Sequence, residues 1–133
     1  MVHKILILED DQPILDLMDM MIRRLGFEPV LITNGLEALD LIKQEPPDLI
    51  LLDIMMVPIN GWEFLEKLRG DLGKRELPVI LFTASPMVSE RMAEMKDPFL
   101  SVLTKPVSLI TVIQAPSVEF LTSTLKSSGN MSS

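Results

Sequence analysis

The chain contains no cysteine, which excludes a disulfide framework, a thiolate metal site and a cysteine nucleophile, and which suits a reducing compartment such as the cytoplasm. Long apolar runs are missing as well. None approaches the roughly 18 residues of a membrane helix, and the start, Met1-Val2-His3-Lys4, meets acids after one short apolar stretch, so neither a signal peptide nor a membrane span is expected. Basic residues are in deficit, with 12 Lys and Arg against 19 Asp and Glu and a formal charge of -7. An acidic surface opposes direct binding of nucleic acid or anionic lipid, both of which rest on lysine and arginine.

What is present fits one globular domain: 133 residues, 47% of them hydrophobic, enough to bury about two-thirds of the surface of the unfolded chain. Strand-like runs recur at Ile5 to Leu8, Pro29 to Thr33, Leu49 to Leu52, Val79 to Thr83 and Leu100 to Thr104, each followed by a segment of helical length. Ile14, Leu17, Met18, Met21, Ile22 and Leu25 repeat at helical spacing, with Pro13 in the first turn and Gly26 as terminator. A second helix is expected from Gly35 to Gln44, stopped by Pro46-Pro47. A third should follow Asn60-Gly61 and bury Phe64, Leu65 and Leu68, and a fourth should lie between Ser85-Pro86 and Asp97-Pro98. Pro116 predicts a broken final helix, and residues 127–133 read as a flexible tail or truncated linker after a domain over 1–126. Repeated β-then-α units predict an α/β fold: a doubly wound, five-stranded parallel sheet in the order 2-1-3-4-5, the flavodoxin-like three-layer sandwich.

The first and third runs end directly in carboxylates, Glu9-Asp10-Asp11 and Asp53. In that strand order the two runs are neighbours, and the ligand crevice lies beyond the carboxyl ends of the strands. Unit charges about 4 Å apart repel by roughly 4 kcal/mol at an effective dielectric of about 20, so the cluster must bind a cation, take up a proton or splay apart. Oxygen-only ligation without nearby histidine or cysteine points to Mg²⁺, with Mn²⁺ second, rather than zinc. Thr83 and Thr104-Lys105-Pro106, at the ends of the fourth and fifth runs, add a hydroxyl and an ammonium suited to phosphate. Each residue has a plainer reading: Asp10 or Asp11 could cap the first helix, Thr83 could simply end a strand, and Lys105 could be a solvated charge. Met18, Met21, Met92 and Met95 read as core packing, Met55-Met56-Val57 as partly exposed, Trp62 as packing at the start of the third helix, and His3 as an edge residue without a partner.

Taken together and in order, Ile5-Leu6-Ile7-Leu8-Glu9-Asp10-Asp11, Pro47-Asp48-Leu49-Ile50-Leu51-Leu52-Asp53, Asn60-Gly61-Trp62-Glu63-Phe64-Leu65, Pro78-Val79-Ile80-Leu81-Phe82-Thr83-Ala84 and Thr104-Lys105-Pro106 resemble the receiver domains of two-component response regulators over about residues 3–115. The resemblance implies that Asp53 accepts phosphate from a sensor histidine kinase or phosphotransfer protein. It further implies that Asp10 and Asp53 bind Mg²⁺ directly, Glu9 through water, and that the backbone carbonyl of Met55 completes the metal shell. Thr83 would bond the phosphoryl group, Lys105 would pair with it, and the Lys105-Pro106 bond would be cis. The domain would act as a phosphoacceptor switch rather than an enzyme, signalling to a downstream protein or an output domain.

The chain departs from that pattern at three places. The proline usual four residues after the aspartate comes one later, at Pro58, with Val57 before it, so the loop should be reshaped. Val102 stands where relatives carry an aromatic that follows phosphorylation, and Lys96-Asp97-Pro98-Phe99 replaces the usual small-residue turn. Neither Met55 nor Ser85, the residues two after Asp53 and Thr83, is an obvious base, and the apolar Met55 side chain cannot orient an attacking water, which predicts slow self-dephosphorylation. Two other readings stay open: a phosphorylation-independent interaction module of the same fold, and a Mg-dependent phosphohydrolase. The second is disfavoured because Asp53-Ile54-Met55 lacks a second acid, and a flavin or nucleotide site is disfavoured further by the acids that follow the first strand.

Overall fold

Consecutive branched apolar residues leave a strand no face for solvent, so each strand must be covered on both sides. A computed structural model describes residues 3–83 and 88–104 and shows how this is done. Strands β1 (Lys4–Leu8), β2 (Glu28–Ile32), β3 (Leu49–Asp53), β4 (Val79–Thr83) and β5 (Leu100–Thr104) form one parallel sheet in the order β2-β1-β3-β4-β5. This is the expected topology. Helices α1 (Gln12–Arg24), α2 (Gly35–Gln44), α3 (Gly61–Glu66) and α4 (Val88–Met95) follow the first four strands. The final helix, the break at Pro116, the boundary at 126, Ser85 and the Lys105-Pro106 bond lie outside the described residues.

Alternation along the strands divides the core in two. Leu6, Leu8, Ile50, Leu52, Val79 and Leu81 face one cluster, closed by α2, α3 and Val88 of α4. Ile5, Ile7, Leu49, Leu51, Ile80 and Phe82 face the other, closed by Leu15, Met18, Met21 and Ile22 of α1. The three central strands are therefore fixed from both sides, and whatever stands at their ends is held by them.

Local chemistry sets the helix limits. Asp11 caps α1, its carboxylate accepting from the Ile14 N–H at 3.4 Å, and Gly26 takes the left-handed conformation, φ 89°, that turns the chain into β2. The Asn34 side chain accepts from the Leu36 and Glu37 amides to start α2. At α3 the cap is reciprocal, Asn60 accepting from the Glu63 N–H at 2.9 Å while Glu63 accepts from the Asn60 N–H at 3.1 Å.

Three expectations are corrected, and the third helix, which buries Phe64, Leu65 and Leu68 as expected, has a feature that was not anticipated. Met56 is buried, packing with Ile54 and Ile59 beneath the loop after β3, while Met55 and Val57 on either side are exposed. Met95, the last residue of α4, is exposed at the point where the helix leaves the sheet. His3 has partners: its Nδ1 lies 3.4 Å from Asp48 and its ring is tilted against Phe27. The third helix does not run on evenly, because α3 passes into a π-helical turn over Lys67–Asp71.

That turn aims Arg69 inward. Its Nε donates to Asp97 Oδ2 at 2.8 Å and its Nη1 donates to the carbonyls of Lys74 and Leu77, both at 2.6 Å, with side-chain exposures of only 11% and 12% for the pair. Asp97 also accepts from the Phe99 N–H at 2.9 Å. Here lies the physical reason for the unusual turn before β5: its acid locks the start of the strand to the loop before β4. Asp97→Ala should leave a guanidinium half-sequestered and cost about 3 kcal/mol in urea unfolding, whereas the exposed Asp71→Ala should stay within about 0.5 kcal/mol of the native chain.

Candidate functional site

The register of the sheet assembles the site. Leu8 of β1 lies beside Leu52 of β3, so the residues that follow, Glu9 and Asp53, emerge together at the carboxyl edge with Asp10 beside them. Carboxylate oxygens of Glu9, Asp10 and Asp53 all lie within 4.8 Å of one another. Oxygens bonded to one hard cation at about 2.0–2.6 Å are separated by up to roughly 4–5 Å, so the spacing fits a single ion. These three side chains can coordinate a divalent metal.

Burial gives the acids unequal roles. Glu9 and Asp53 are 0% and 3% exposed, whereas Asp10 is open to solvent. Two buried carboxylates need compensation, and part of it is local: Glu9 Oε1 accepts from the Asp11 N–H at 3.0 Å, and Asp53 Oδ1 accepts from the Met55 N–H at 3.2 Å. Asp11, the fourth acid, is spent on the α1 cap, as the plainer reading of its position allowed. The site therefore uses three acids.

The loop that carries Met55 is pinned from below. The Ile54 carbonyl accepts from the Met56 N–H at 3.1 Å and from the Gly61 N–H at 2.8 Å, and the Val57-Pro58 peptide is cis. A methyl group at Gly61 would stand 2.8 Å from Ile54 Cα and 2.9 Å from the Asp53 carbonyl oxygen, both backbone atoms that cannot step aside. Glycine is what lets the first turn of α3 rest directly on the end of β3. Sequence reasoning had Gly61 only as part of a motif and missed the cap beside it, although Asn60-x-x-Glu63 is a recognisable capping spacing.

Thr83, at the end of β4, is 4% exposed, and its neighbour across the sheet is Thr104 of β5. Lys105, one residue further, lies outside the described residues, as does the Thr104 side chain. Val102 is half-buried against the cluster on the α3 and α4 side. Met55, 78% exposed, points an apolar side chain into solvent beside the acids.

Gly61→Ala is expected to push the β3 to α3 loop outward, lowering stability by about 1–3 kcal/mol and weakening divalent-cation binding in calorimetric titration. Gly70→Ala, whose added methyl group meets nothing within 4 Å, should leave cation binding unchanged.

Comparison with known proteins agrees with this geometry. A family model described as the response regulator receiver domain matches residues 5–116. The polar-differentiation response regulator DivK of Brucella anthropi is 33% identical over 114 residues, covering 86% of this chain and 93% of that protein. Among solved structures, the N-terminal domain of a response regulator receiver protein from Methanoculleus marisnigri superposes with a TM-score of 0.73 at 34% identity, covering 86% and 93% of the two chains. The receiver domain of a Pseudomonas aeruginosa sensor histidine kinase, solved with a magnesium ion in its active-site cleft, shares the fold at a TM-score of 0.73 and 23% identity, over 84% of this chain and 91% of that one. Among the described residues, no helix is long and apolar enough to cross a membrane.

Proposed function

Because this chain belongs to the response regulator receiver domain family, we propose that Asp53 is its phosphoacceptor and that the acids around it hold Mg²⁺. Receiver domains are phosphoacceptor switches rather than turnover enzymes. The observation that carries the assignment is the meeting of Glu9, Asp10 and Asp53 within 4.8 Å at the ends of two adjacent strands. Mg²⁺ is favoured over zinc by the all-oxygen donor set, and the magnesium in the cleft of the Pseudomonas receiver domain supports it.

In the proposed reaction a carboxylate oxygen of Asp53 attacks the phosphorus of a phosphohistidine on a sensor histidine kinase or phosphotransfer protein. The new P–O bond forms as the P–N bond breaks, and the imidazole leaves with a proton. Bound Mg²⁺ supplies positive charge for the phosphoryl oxygens, which two buried acids would otherwise repel. Asp10 and Asp53 would hold it directly, Glu9 through water, and the Met55 carbonyl would add a neutral oxygen. Thr83, buried at the end of β4, bonds a phosphoryl oxygen once it is in place, and Lys105 pairs with the remaining charge. The domain is assigned to residues 1–126, working in the cytoplasm upstream of a protein partner or output domain.

One observation favours a second reading. With Val102 half-buried in the place of a mobile aromatic, the sheet edge has no rotating ring to report phosphorylation, as a phosphorylation-independent interaction module of this fold would require. NMR shifts of α4 that stay still on phosphorylation would favour that module. A phosphohydrolase is not favoured, since the residue two after Asp53 is the exposed, apolar Met55.

Incubation with Mg²⁺ and acetyl phosphate should add one phosphoryl group to the native chain by intact mass and none to Asp53→Asn; equal addition to both would reject Asp53. Met55→Asn, which supplies a polar group able to orient water, should speed loss of the phosphoryl group severalfold. An unchanged rate would remove Met55 from the account of slow dephosphorylation.

A further inference from the structure

The residue after Gly61 is Trp62, the only tryptophan of a chain that has no tyrosine. Trp62 is half-buried on the first turn of α3, and the guanidinium of Arg91 on α4 stands 4.6 Å from its ring centroid. This is stacking distance for a cation over an aromatic face. Helix α4 is otherwise lightly held: among its described side chains Val88 is buried, Met92 is half-buried against the same cluster, and the rest are exposed. The far end of the segment is fixed by the Arg69–Asp97 pair. Between that anchor and β4, the Trp62–Arg91 stack joins the body of α4 to α3.

Trp62 is also tied to the site. Gly61 donates to the Ile54 carbonyl at 2.8 Å and lies so close to the Asp53 carbonyl that no side-chain atom fits between them. A displacement of the β3 to α3 loop, such as ligation at Asp53 and Met55 would produce, is therefore passed to the first turn of α3 without slack. The aromatic ring sits on that turn. The structure shows Arg91 stacked on the ring; a second arrangement, with the guanidinium released to the water that its exposed position on α4 borders, would make the contact two-state. Such a two-state element is what coupling between sites requires.

We propose that the Trp62–Arg91 stack couples the acidic site to α4, taking the place of the aromatic that this chain lacks at Val102. The proposal rests on the phosphoacceptor reading and adds the route by which occupancy of the site reaches a surface. Phosphorylation turns the singly charged Asp53 carboxylate into a larger acyl phosphate with about one more negative charge, and the loop and the first turn of α3 adjust to that load. The ring moves under Arg91, the stack seen here is broken, and α4 is loosened.

With no tyrosine and one tryptophan, intrinsic emission reports on the coupling ring alone. The full chain is treated with Mg²⁺ and acetyl phosphate, and three quantities are followed: intact mass, tryptophan emission, and hydrogen exchange of the α4 amides. In the native chain, emission and α4 exchange should change together with the gain of mass. Arg91→Gln should still gain mass, but with emission and α4 exchange insensitive to phosphorylation, and with α4 exchange about two- to fivefold faster than native in the unphosphorylated state where the stack is formed, the factor a stack of this exposure is worth. Arg91→Lys, which keeps a cation over the ring, should restore part of the response; loss of response in the lysine variant as well as the glutamine variant would reduce Arg91 to a packing role and overturn the coupling. A native chain that gains mass with unchanged emission and exchange overturns it too and leaves the phosphoacceptor reading intact. A chain that gains no mass overturns both.

Discussion

Three carboxylates within 4.8 Å, two of them buried, make an arrangement that would open if the scaffold beneath it could yield. At an effective dielectric of about 20, each like-charged pair at about 4–5 Å repels by roughly 3–4 kcal/mol, a large share of the ~5–15 kcal/mol that stabilises a domain. The strands that end in these acids are the least yielding part of the molecule, since Ile5 to Leu8 and Leu49 to Leu52 are fully buried from both faces. The hydrophobic layers thus hold the charges together against their repulsion, and entry of a divalent cation would release the free energy of that repulsion. Affinity for the metal and strain in the site have one source.

The same reasoning explains how the supporting amides are placed. Glu9 and Asp53 each accept from a backbone N–H two residues further on, Asp11 and Met55, so each buried acid is steadied by the chain that leaves its own strand. Each bond holds a carboxylate in a fixed position at the end of its strand. Gly61 then fixes the loop after β3 by direct backbone contact. The site is preorganised by short-range connections made within a few residues of each acid.

Those connections are also why so much could be read without coordinates. Apolar runs and the acids at their ends are local patterns, and the helix limits Gly35 and Gln44 follow from Asn34 at one end and the double proline beyond the other. The acidic site was legible because adjacency of β1 and β3 follows from topology alone. What escaped was set by partners distant in sequence: Arg69 and Asp97 are 28 residues apart, and Arg91 meets Trp62 across a full βα unit. Met55-Met56-Val57 read as partly exposed because it adjoins the site, but Met56 is buried with Ile54 and Ile59 in the cluster beneath the loop. Met95 fitted an apolar stripe, but the helix ends where that stripe leaves the sheet.

The two long-range contacts divide the molecule along the strand axis. At the amino edge of β4 and β5, the Val79 N–H donates to the Phe99 carbonyl, and Arg69 binds Asp97 and the carbonyls of Lys74 and Leu77, so that end is cross-linked by charge-assisted bonds with little access to water. At the carboxyl edge, where the acids lie, α4 is joined to α3 by a stack over a half-buried ring, a contact several times weaker than a sequestered ion pair. A load applied at Asp53 meets a stiff base and a compliant rim, so the displacement must appear at the rim. Under the phosphorylation proposed for Asp53, that asymmetry would direct the response toward α4 and spare the sheet.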